Sequence, residues 1–188
     1  AIHMGDQDFV NVPVSKLLSN SYAKERSANI NLSTATKSKT MPSVTSISEE
    51  GTETTHFSII DKYGNRVAAT LSINTTFGSG FVAGNTGVLL NNHMNDFVLT
   101  PNSPNIYGLV GNTKNSIEPG KRPLSSMTPT IVLKDDKPFL ILGTPGGSTI
   151  ITTVLQNFLN VVIGDKGPKG STVIILKSSL TLSKIVGS

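Results

Sequence analysis

The stretch from residue 54 to residue 74 reads TTHFSIIDKYGNRVAATLSIN, and it decides how the middle of the chain folds. Residues 56–61 are rich in the aromatic and β-branched residues that favour a strand. Residues 62–65 have the polar and glycine content typical of a turn, and residues 66–74 then predict a second strand. Two strands joined by so short a turn predict an antiparallel β-hairpin.

The same pattern recurs downstream, where the apolar runs 130–133 and 138–142 flank the polar residues 135–137 and predict a second hairpin. After residues 146–148, GGS, apolar residues recur at helical spacing. They are Ile150, Ile151, Val154, Leu155, Phe158, Leu159 and Val162. This spacing predicts a helix with one broad apolar face. Two hairpins and a helix indicate a layered α+β fold.

The composition indicates a folded protein of about one domain, with 188 residues, of which 37% are hydrophobic and 15% charged. The net charge of +4 comes from scattered side chains, so it does not indicate a nucleic-acid-binding surface. The absence of cysteine excludes disulfides, thiolate catalysis and cysteine-ligated zinc. No apolar stretch is long enough for a membrane helix, and no signal-peptide pattern follows Ala1.

The composition changes twice along the chain. Residues 1–20 hold an apolar stretch marked by proline, and a short helix is predicted around Tyr22 and Ala23. From residue 27 to residue 53, Ser, Thr, Lys and Asn dominate, which predicts an exposed, flexible linker. Residues 164–170 are rich in Gly, Pro and Lys, and they lead to a tail whose apolar and polar residues alternate.

Three features that could indicate a metal site, a dinucleotide-binding site or a catalytic carboxylate pair have simpler interpretations. The histidines His3, His56 and His93 are far apart and lack the spacing of metal ligands. Residues 78–80, GSG, lack the rest of a dinucleotide-binding fingerprint and predict a turn. Residues 135–136, two aspartates, predict a hairpin turn rather than a catalytic carboxylate pair.

The loop at residues 143–148, GTPGGS, has two possible roles. Two glycines before a helix let backbone N–H groups point into open space, where the helix dipole adds positive charge. Such a loop can bind a phosphate or form an oxyanion hole. The alternative, which the loop alone favours, is a tight strand-to-helix turn.

Thr54 and Thr55 follow the predicted linker and open the first strand. A threonine hydroxyl is a weak nucleophile, but a free α-amine on the same residue can act as its base, with a pKa of about 7.7–8.0. This chemistry requires a cut in the chain just before the threonine, and a solvated linker is a suitable place for one. Threonine pairs are also common at strand starts, so the pair alone is weak evidence.

Taken together, several segments resemble the γ-glutamyltranspeptidase family. Residues 54–78 resemble the start of the family's small subunit, 89–97 its substrate-binding segment and 104–111 its lid loop. The motifs are TTHFS (54–58), DKYGN (61–65), NTTFG (74–78), LLNNHMNDF (89–97), PNIYGLVG (104–111), KRPLSSMTP (121–129) and residues 143–156, while GDQDFV (5–10) resembles the end of the large subunit. The resemblance covers residues 1–163.

The resemblance implies an N-terminal-nucleophile hydrolase fold, an α-β-β-α sandwich that is incomplete in this chain. It also implies a precursor that cuts itself, because the Thr54 hydroxyl attacks the Glu53 carbonyl and hydrolysis of the ester then frees the Thr54 amine. The implied activity is that of a γ-glutamyltransferase and glutathione hydrolase. Thr54 attacks the γ-amide of a γ-glutamyl compound, and the γ-glutamyl group passes to water or to an amine.

The resemblance also implies the site residues. They are the catalytic Thr54, Ser72, Gly146 and Gly147, the substrate-binding Asn74, His93, Asp96, Tyr107, Ser125 and Ser126, and the cleavage site between Glu53 and Thr54. The two glycine N–H groups would hold the oxyanion, Asn74 and Asp96 the α-amine, and the two serines the α-carboxylate, while Tyr107 would close the lid. Ser72 stands where the family usually has a threonine, and His93 where it more often has Gln or Glu.

By the same resemblance, residues 1–53 are the C-terminal end of the large-subunit region with a flexible linker, residues 54–163 the small-subunit region and residues 164–188 a divergent tail. The implied partners are glutathione and other γ-glutamyl compounds, amino acid or peptide acceptors, and the remainder of both subunits. No cofactor, metal, nucleic acid or membrane span is implied, and the implied location is the periplasm or the cell exterior. Two alternatives stay open: a truncated, catalytically inactive remnant that acts at most as a binding domain, and an unrelated Ser/Thr-rich β-domain that binds partners.

Overall fold

The computed structural model describes residues 3–28, 30–31, 33–34, 54–103, 105 and 110–163. Most of the predicted linker and all of the predicted alternating tail lie outside these residues. The elements are α1 (Val14–Leu17), α2 (Asn20–Ser27), β1 (Thr54–Ile60), β2 (Arg66–Ser72), β3 (Thr130–Lys134), β4 (Lys137–Leu142) and α3 (Ile150–Val162). The chain forms two compact units, the first from residues 1–49 and 94–125 and the second from residues 50–93 and 126–188.

The first predicted hairpin is confirmed in the second unit. Strands β1 and β2 pair antiparallel, with Thr54 opposite Ser72 at the open end and Ile60 opposite Arg66 beside the turn. The Asp61 carboxylate organises that turn because it accepts hydrogen bonds from the backbone N–H groups of Tyr63, at 2.8 Å, and Asn65, at 2.9 Å. The Asn65 side chain also donates to this carboxylate, at 2.7 Å, and this bond together with the backbone hydrogen bonds holds the pKa of Asp61 below its usual value. The register therefore places the first residue of β1 beside the last residue of β2.

The second predicted hairpin is also confirmed. Strands β3 and β4 pair antiparallel, and the two turn residues Asp135 and Asp136 have φ angles of 52° and 58°. Positive φ at both central residues is the signature of a type I′ turn, which Asp tolerates better than most residues and which matches the twist of the strands. The two aspartates therefore serve the turn, as the sequence predicts.

Helix α3 confirms the helix predicted after the glycine loop, and its apolar face supplies part of the core of the second unit. Ile150 and Val154 are buried on α3, and Leu140 is buried on β4. The two hairpins meet where the Ser58 hydroxyl donates to the carbonyl of Ile141 at 3.4 Å. Large apolar side chains on the other faces of these elements remain exposed, among them Phe57, Ile59, Val67, Leu71, Ile151 and Leu155.

The first unit contains α1 and α2, and α2 confirms the helix predicted around Tyr22. Ser19 caps α2, because its hydroxyl accepts from the backbone N–H of Tyr22 at 3.2 Å. Val12 and Phe97 are buried in this unit. Within the described part of the chain, no helix combines the length and apolar character that crossing a membrane requires.

Candidate active site

The predicted nucleophile Thr54 lies at the first position of β1, directly opposite Ser72 on β2. Its hydroxyl donates a hydrogen bond to the Ser72 hydroxyl oxygen over 3.1 Å. The same oxygen accepts from the backbone N–H of Asn74 at 2.9 Å. Two of the predicted catalytic residues are therefore in direct contact, and Ser72 is itself held by the backbone that follows it.

Asn74 turns the chain immediately after β2. Its φ of 80° is a left-handed conformation that Asn adopts more readily than most residues, and only 4% of the residue is exposed. Its side-chain Nδ2 donates to the carbonyl of Asn92 at 3.2 Å, and the Asn92 side chain in turn bonds Thr75. These contacts fix Asn74 between the end of β2 and residues 91–93.

His93, a predicted substrate-binding residue, joins this network. Its Nε2 lies 3.0 Å from the carbonyl oxygen of Ser72. Because a carbonyl can only accept, Nε2 carries the proton of this bond. The structure therefore brings together Thr54, Ser72, Asn74 and His93 through hydrogen bonds around Ser72.

The glycine loop precedes α3, as predicted. Gly147 begins a 3-10 turn that runs to Thr149, and α3 follows from Ile150. Gly146 has a φ of 134° and Gly147 a φ of 53°, conformations that residues with a side chain rarely adopt. The Gly146 carbonyl accepts from the backbone N–H of Thr149 at 3.0 Å and from its hydroxyl at 2.7 Å. The local geometry is that of a loop leading into a helix N-terminus, which favours negative charge.

The sequence analysis missed a buried polar contact between β1 and the start of this loop. His56 is only 8% exposed, and its Nδ1 and Nε2 atoms lie 2.8 Å from the Thr70 hydroxyl and 2.9 Å from the Ser58 hydroxyl. A Cβ atom at Gly143 would come within 2.0 Å of His56 Nδ1, so the backbone at 143 lies against the imidazole ring. The strand alternation that puts His56 on the same face as Thr54 was the available signal.

The hydrogen bonds place a proton on Nε2 of His56. The Ser58 hydroxyl donates its single proton to the Ile141 carbonyl, so it accepts from His56 Nε2–H, and the Thr70 hydroxyl can donate to Nδ1 when the ring is neutral. Burial also lowers the pKa of His56, because desolvation disfavours the charged ring. His56 therefore links the strand of the predicted nucleophile to the strand that leads into the glycine loop.

The lowered pKa of His56 predicts how stability depends on pH. The unfolded chain binds a proton at His56 near pH 6.5, whereas the folded chain does so only at lower pH. The free energy of unfolding should therefore be highest above about pH 6.5 and should fall as the pH decreases from 7 to 5. Urea titrations across this range measure it. His56→Gln should flatten the slope, whereas His3→Gln, which changes an exposed histidine, should leave it unchanged; equal slopes in all three proteins would contradict the prediction.

The remaining predicted site residues lie elsewhere. In the first unit, Asp96 ends the 3-10 turn His93–Asp96, and its backbone carbonyl accepts from the Asn115 side chain at 2.7 Å. Ser125 is the last residue of that unit and is exposed. Ser126 begins the next segment of the second unit, where its carbonyl accepts from the Thr128 hydroxyl at 2.9 Å. Glu53 and Tyr107 lie outside the described residues, so their predicted roles remain predictions.

The chain is similar to known proteins along most of its length. A sequence profile described as gamma-glutamyltranspeptidase matches residues 1–172, nine residues beyond residue 163, where the predicted resemblance ends. The chain is 51% identical over 160 residues to the glutathione hydrolase proenzyme of Escherichia coli (strain K12), a match covering 85% of this chain and 28% of that relative. It is 39% identical over 181 residues to "Putative inactive glutathione hydrolase 4" of Arabidopsis thaliana, covering 92% of this chain and 91% of that relative.

A solved structure carries the same fold. It is an acivicin-inhibited gamma-glutamyltranspeptidase whose C-terminus has critical roles in autoprocessing and catalysis. The two structures share 54% sequence identity and a TM-score of 0.59 over 61% of each chain. The predicted α+β fold of the N-terminal-nucleophile hydrolase type is thereby confirmed.

The relatives differ in how much of their own length this chain covers. The chain spans 28% of the Escherichia coli relative but 91% of the Arabidopsis relative. Family membership itself rests on the profile, which matches most of the 188 residues, and on the agreement in sequence and fold. The chain belongs to the gamma-glutamyltranspeptidase family.

Proposed function

We propose that this chain carries the nucleophile region of a self-cleaving γ-glutamyltransferase and glutathione hydrolase. The observation that carries the proposal is the position of Thr54 as the first residue of β1, with its hydroxyl bonded to that of Ser72 at 3.1 Å. The name proenzyme of the Escherichia coli relative and the autoprocessing of the solved family member support a cleavage step.

In the first proposed step, the Thr54 hydroxyl attacks the Glu53 carbonyl. The peptide bond becomes an ester, and its hydrolysis gives a Glu53 carboxylate and a free Thr54 α-amine. The Ser72 hydroxyl supports this step because it holds the Thr54 hydroxyl in one orientation. The freed amine then serves as the general base of the second reaction, since its pKa of about 7.7–8.0 suits neutral pH.

In the second step, Thr54 attacks the γ-amide carbonyl of glutathione or another γ-glutamyl compound. A γ-glutamyl ester forms on Thr54, the amine leaves with a proton, and water or an acceptor amine then takes the γ-glutamyl group. Gly146 and Gly147 at the N-terminal end of the α3 segment are proposed to donate to the oxyanion of each tetrahedral intermediate. Asn74, His93, Asp96, Tyr107, Ser125 and Ser126 are proposed to bind the glutamyl group.

We further propose that the remaining segments of both subunits are partners of this chain. The support is the 28% span of the Escherichia coli relative together with the exposed apolar side chains of β1, β2 and α3. Apolar faces of this kind are normally covered in a soluble assembly. A location in the periplasm or outside the cell belongs to the same proposal, and its support is the family resemblance.

The second candidate is a catalytically inactive remnant that acts at most as a binding domain. The observation that favours it is length, because the chain spans 91% of the Arabidopsis relative whose given name describes it as inactive. The two candidates differ in turnover, so one assay distinguishes them.

The assay uses a chromogenic γ-glutamyl anilide with the chain itself and with a chimera. In the chimera, this chain replaces the matching segment of the 51% identical Escherichia coli relative. Turnover by the chimera that Thr54→Ala abolishes supports the proposed function. A folded chimera without turnover supports the remnant. An active chimera beside an inactive isolated chain assigns the deficit to the segments that the Escherichia coli relative supplies.

The proposed role of Asp96 gives a binding prediction. In the chimera, Asp96→Ala should raise the KM for the anilide about ten- to a hundredfold, since losing a charged hydrogen bond costs about 1.5–3 kcal/mol. The effect should fall mainly on KM because the substrate ammonium is charged in the ground state as well as in the transition state. Steady-state kinetics measure it, with Asp136→Ala in the β3–β4 turn as the control. A KM equal to the parent's would show that Asp96 does not bind the amine.

A further inference from the structure

The first unit combines residues from both sides of the proposed cut. Residues 1–49 lie upstream of Thr54, whereas residues 94–125 lie downstream of it, and they form one compact unit. Cleavage before Thr54 would therefore leave this unit with two chains. Any contact within it between residues 3–28 and residues 110–125 becomes a contact between the two products.

A carboxylate–guanidinium pair is the centre of these contacts. Arg122 donates from Nε to Asp6 Oδ2 at 2.9 Å and from Nη2 to Asp6 Oδ1 at 2.6 Å. The backbone N–H of Arg122 also donates to Asp6 Oδ2, at 2.8 Å. The Asp6 side chain is only 2% exposed, and Arg122 also reaches the exposed carboxylate of Asp8. Paired N–H donors on one carboxylate combine strength with a fixed orientation.

Further contacts flank this pair on both sides. Lys114 Nζ donates to the carbonyl of Asn11 at 2.7 Å. The Lys121 ammonium lies 5.8 Å from the ring centroid of Phe9, within cation–π distance. At Gly5, a Cβ atom would come within 2.5 Å of the Lys114 carbonyl oxygen, so the two backbones approach too closely for a side chain. We call the contacts of residues 5–11 with residues 114–122 the clasp.

The charges of the clasp persist over the physiological range. Arg122 holds the pKa of Asp6 well below its usual value, through its side-chain and backbone hydrogen bonds. A carboxyl group whose pKa is lower in the folded state than in the unfolded state stabilises the fold above its ordinary pKa. This stabilisation is lost only as the pH falls towards the lower, folded-state pKa. The pair is therefore fully ionised at neutral pH, where cleavage would occur.

We propose that the clasp keeps the upstream product bound to the downstream product after cleavage, with Asp6 as its anchor. The proposal rests on the proposed function only for the position of the cut. The surface formed by residues 114–122 is thus occupied by residues 5–11 of the same precursor. In this stretch the buried Asp6 carboxylate pairs with the Arg122 guanidinium. The Phe9 ring lies beside the Lys121 ammonium, and Gly5 leaves room for the backbone of Lys114.

The test uses the full chain and does not depend on self-cleavage. Residues 40–46 are replaced by a recognition site for a sequence-specific protease in a Thr54→Ala background, and the folded protein is cut after purification. Size-exclusion chromatography and a dilution series then measure how tightly the upstream fragment stays bound. The cut parent should elute as one complex, and Asp6→Asn should weaken the association at least about tenfold. Asp136→Asn, which changes an exposed carboxylate in the β3–β4 turn, should behave like the parent.

Gly5→Ala is a second variant that changes no charge. It should also weaken the association, because the added Cβ pushes residues 5–11 away from the Lys114 carbonyl. Circular dichroism of each uncut variant checks that it folds before cutting. Release of the upstream fragment from the cut parent would overturn the proposal. A folded Asp6→Asn protein that retains the fragment as tightly as the parent would also overturn it. If Asp6→Asn does not fold, the same retention in Gly5→Ala would overturn it. A folded chimera that retains Thr54 but neither cuts itself nor turns over the anilide would instead contradict the proposed function, and it would leave the clasp standing.

Discussion

Replacing Thr54 with alanine is expected to abolish both the formation of a new N-terminus at residue 54 and all turnover of γ-glutamyl substrate. The hydroxyl that this substitution removes is the proposed nucleophile of both reactions. Its neighbour Ser72 lies on β2, where its hydroxyl oxygen accepts from Thr54, and it has no adjoining α-amine, so it should not take over. The predicted loss is therefore complete within the detection limit, rather than a reduction by a fixed factor.

N-terminal sequencing of aged protein and the anilide assay measure the two parts of this prediction. Thr55→Ala is the matched control, because Thr55 is the next residue of β1 and its side chain points to the opposite face of the strand. It should cleave and turn over like the parent, in the chain or in the chimera. Cleavage before residue 54 in the alanine variant would show that another group acts as the nucleophile.

The hairpins and the long helix could be predicted because their signals are local. Alternating strand residues, a turn with Asp61 and Gly64, and a run of apolar residues at helical spacing all lie within short stretches. The contact between Thr54 and Ser72 also follows from one register, since a hairpin that closes at Asp61 and Asn65 places them opposite each other. Helix α3 begins at Ile150, the first of the apolar residues that predict it, and the 3-10 turn Gly147–Thr149 precedes it.

The rest could not be predicted because it depends on which distant segments meet. His56 shows no motif, and its burial requires the backbone of Gly143 to pack against its ring. Asp6 and Arg122 are 116 positions apart, and each is an unremarkable charge until the first unit brings them together. The roles of Ser72 and His93 came from the resemblance, whereas the hydrogen bonds that join them came from the structure.

These distant contacts also show how the pieces of the candidate site are held. His56 connects β1 to β4 through Ser58 and the carbonyl of Ile141, so the strand carrying Thr54 and the strand leading into the glycine loop are fixed together. A catalytic site needs this kind of fixed spacing because small displacements of reacting groups are costly. The glycine loop is consequently the place where one substitution should most selectively affect the chemistry.

Replacing Gly147 with valine is expected to lower the kcat of the chimera about 10²–10³-fold. Gly147 has a φ of 53°, a conformation that a β-branched residue strongly disfavours, so the peptide plane carrying its N–H should rotate. One oxyanion donor would then be lost. The KM should change much less, because the full negative charge on the substrate oxygen exists only in the transition state and the tetrahedral intermediate.

The matched control for Gly147→Val is Gly64→Val in the β1–β2 turn. Gly64 has a φ of 85° and open space around it, so valine there meets the same kind of backbone strain, about 1–2 kcal/mol, without a clash. Both variants should lose stability in urea titrations, but only Gly147→Val should lose kcat. If both variants lost kcat in proportion to their loss of stability, the effect of Gly147→Val would be an effect on folding. Residues 143–148 would then be the tight strand-to-helix turn that the sequence also allows. A selective loss of kcat at Gly147, with KM and folding preserved relative to Gly64→Val, is the result that requires its N–H to act on the transition state.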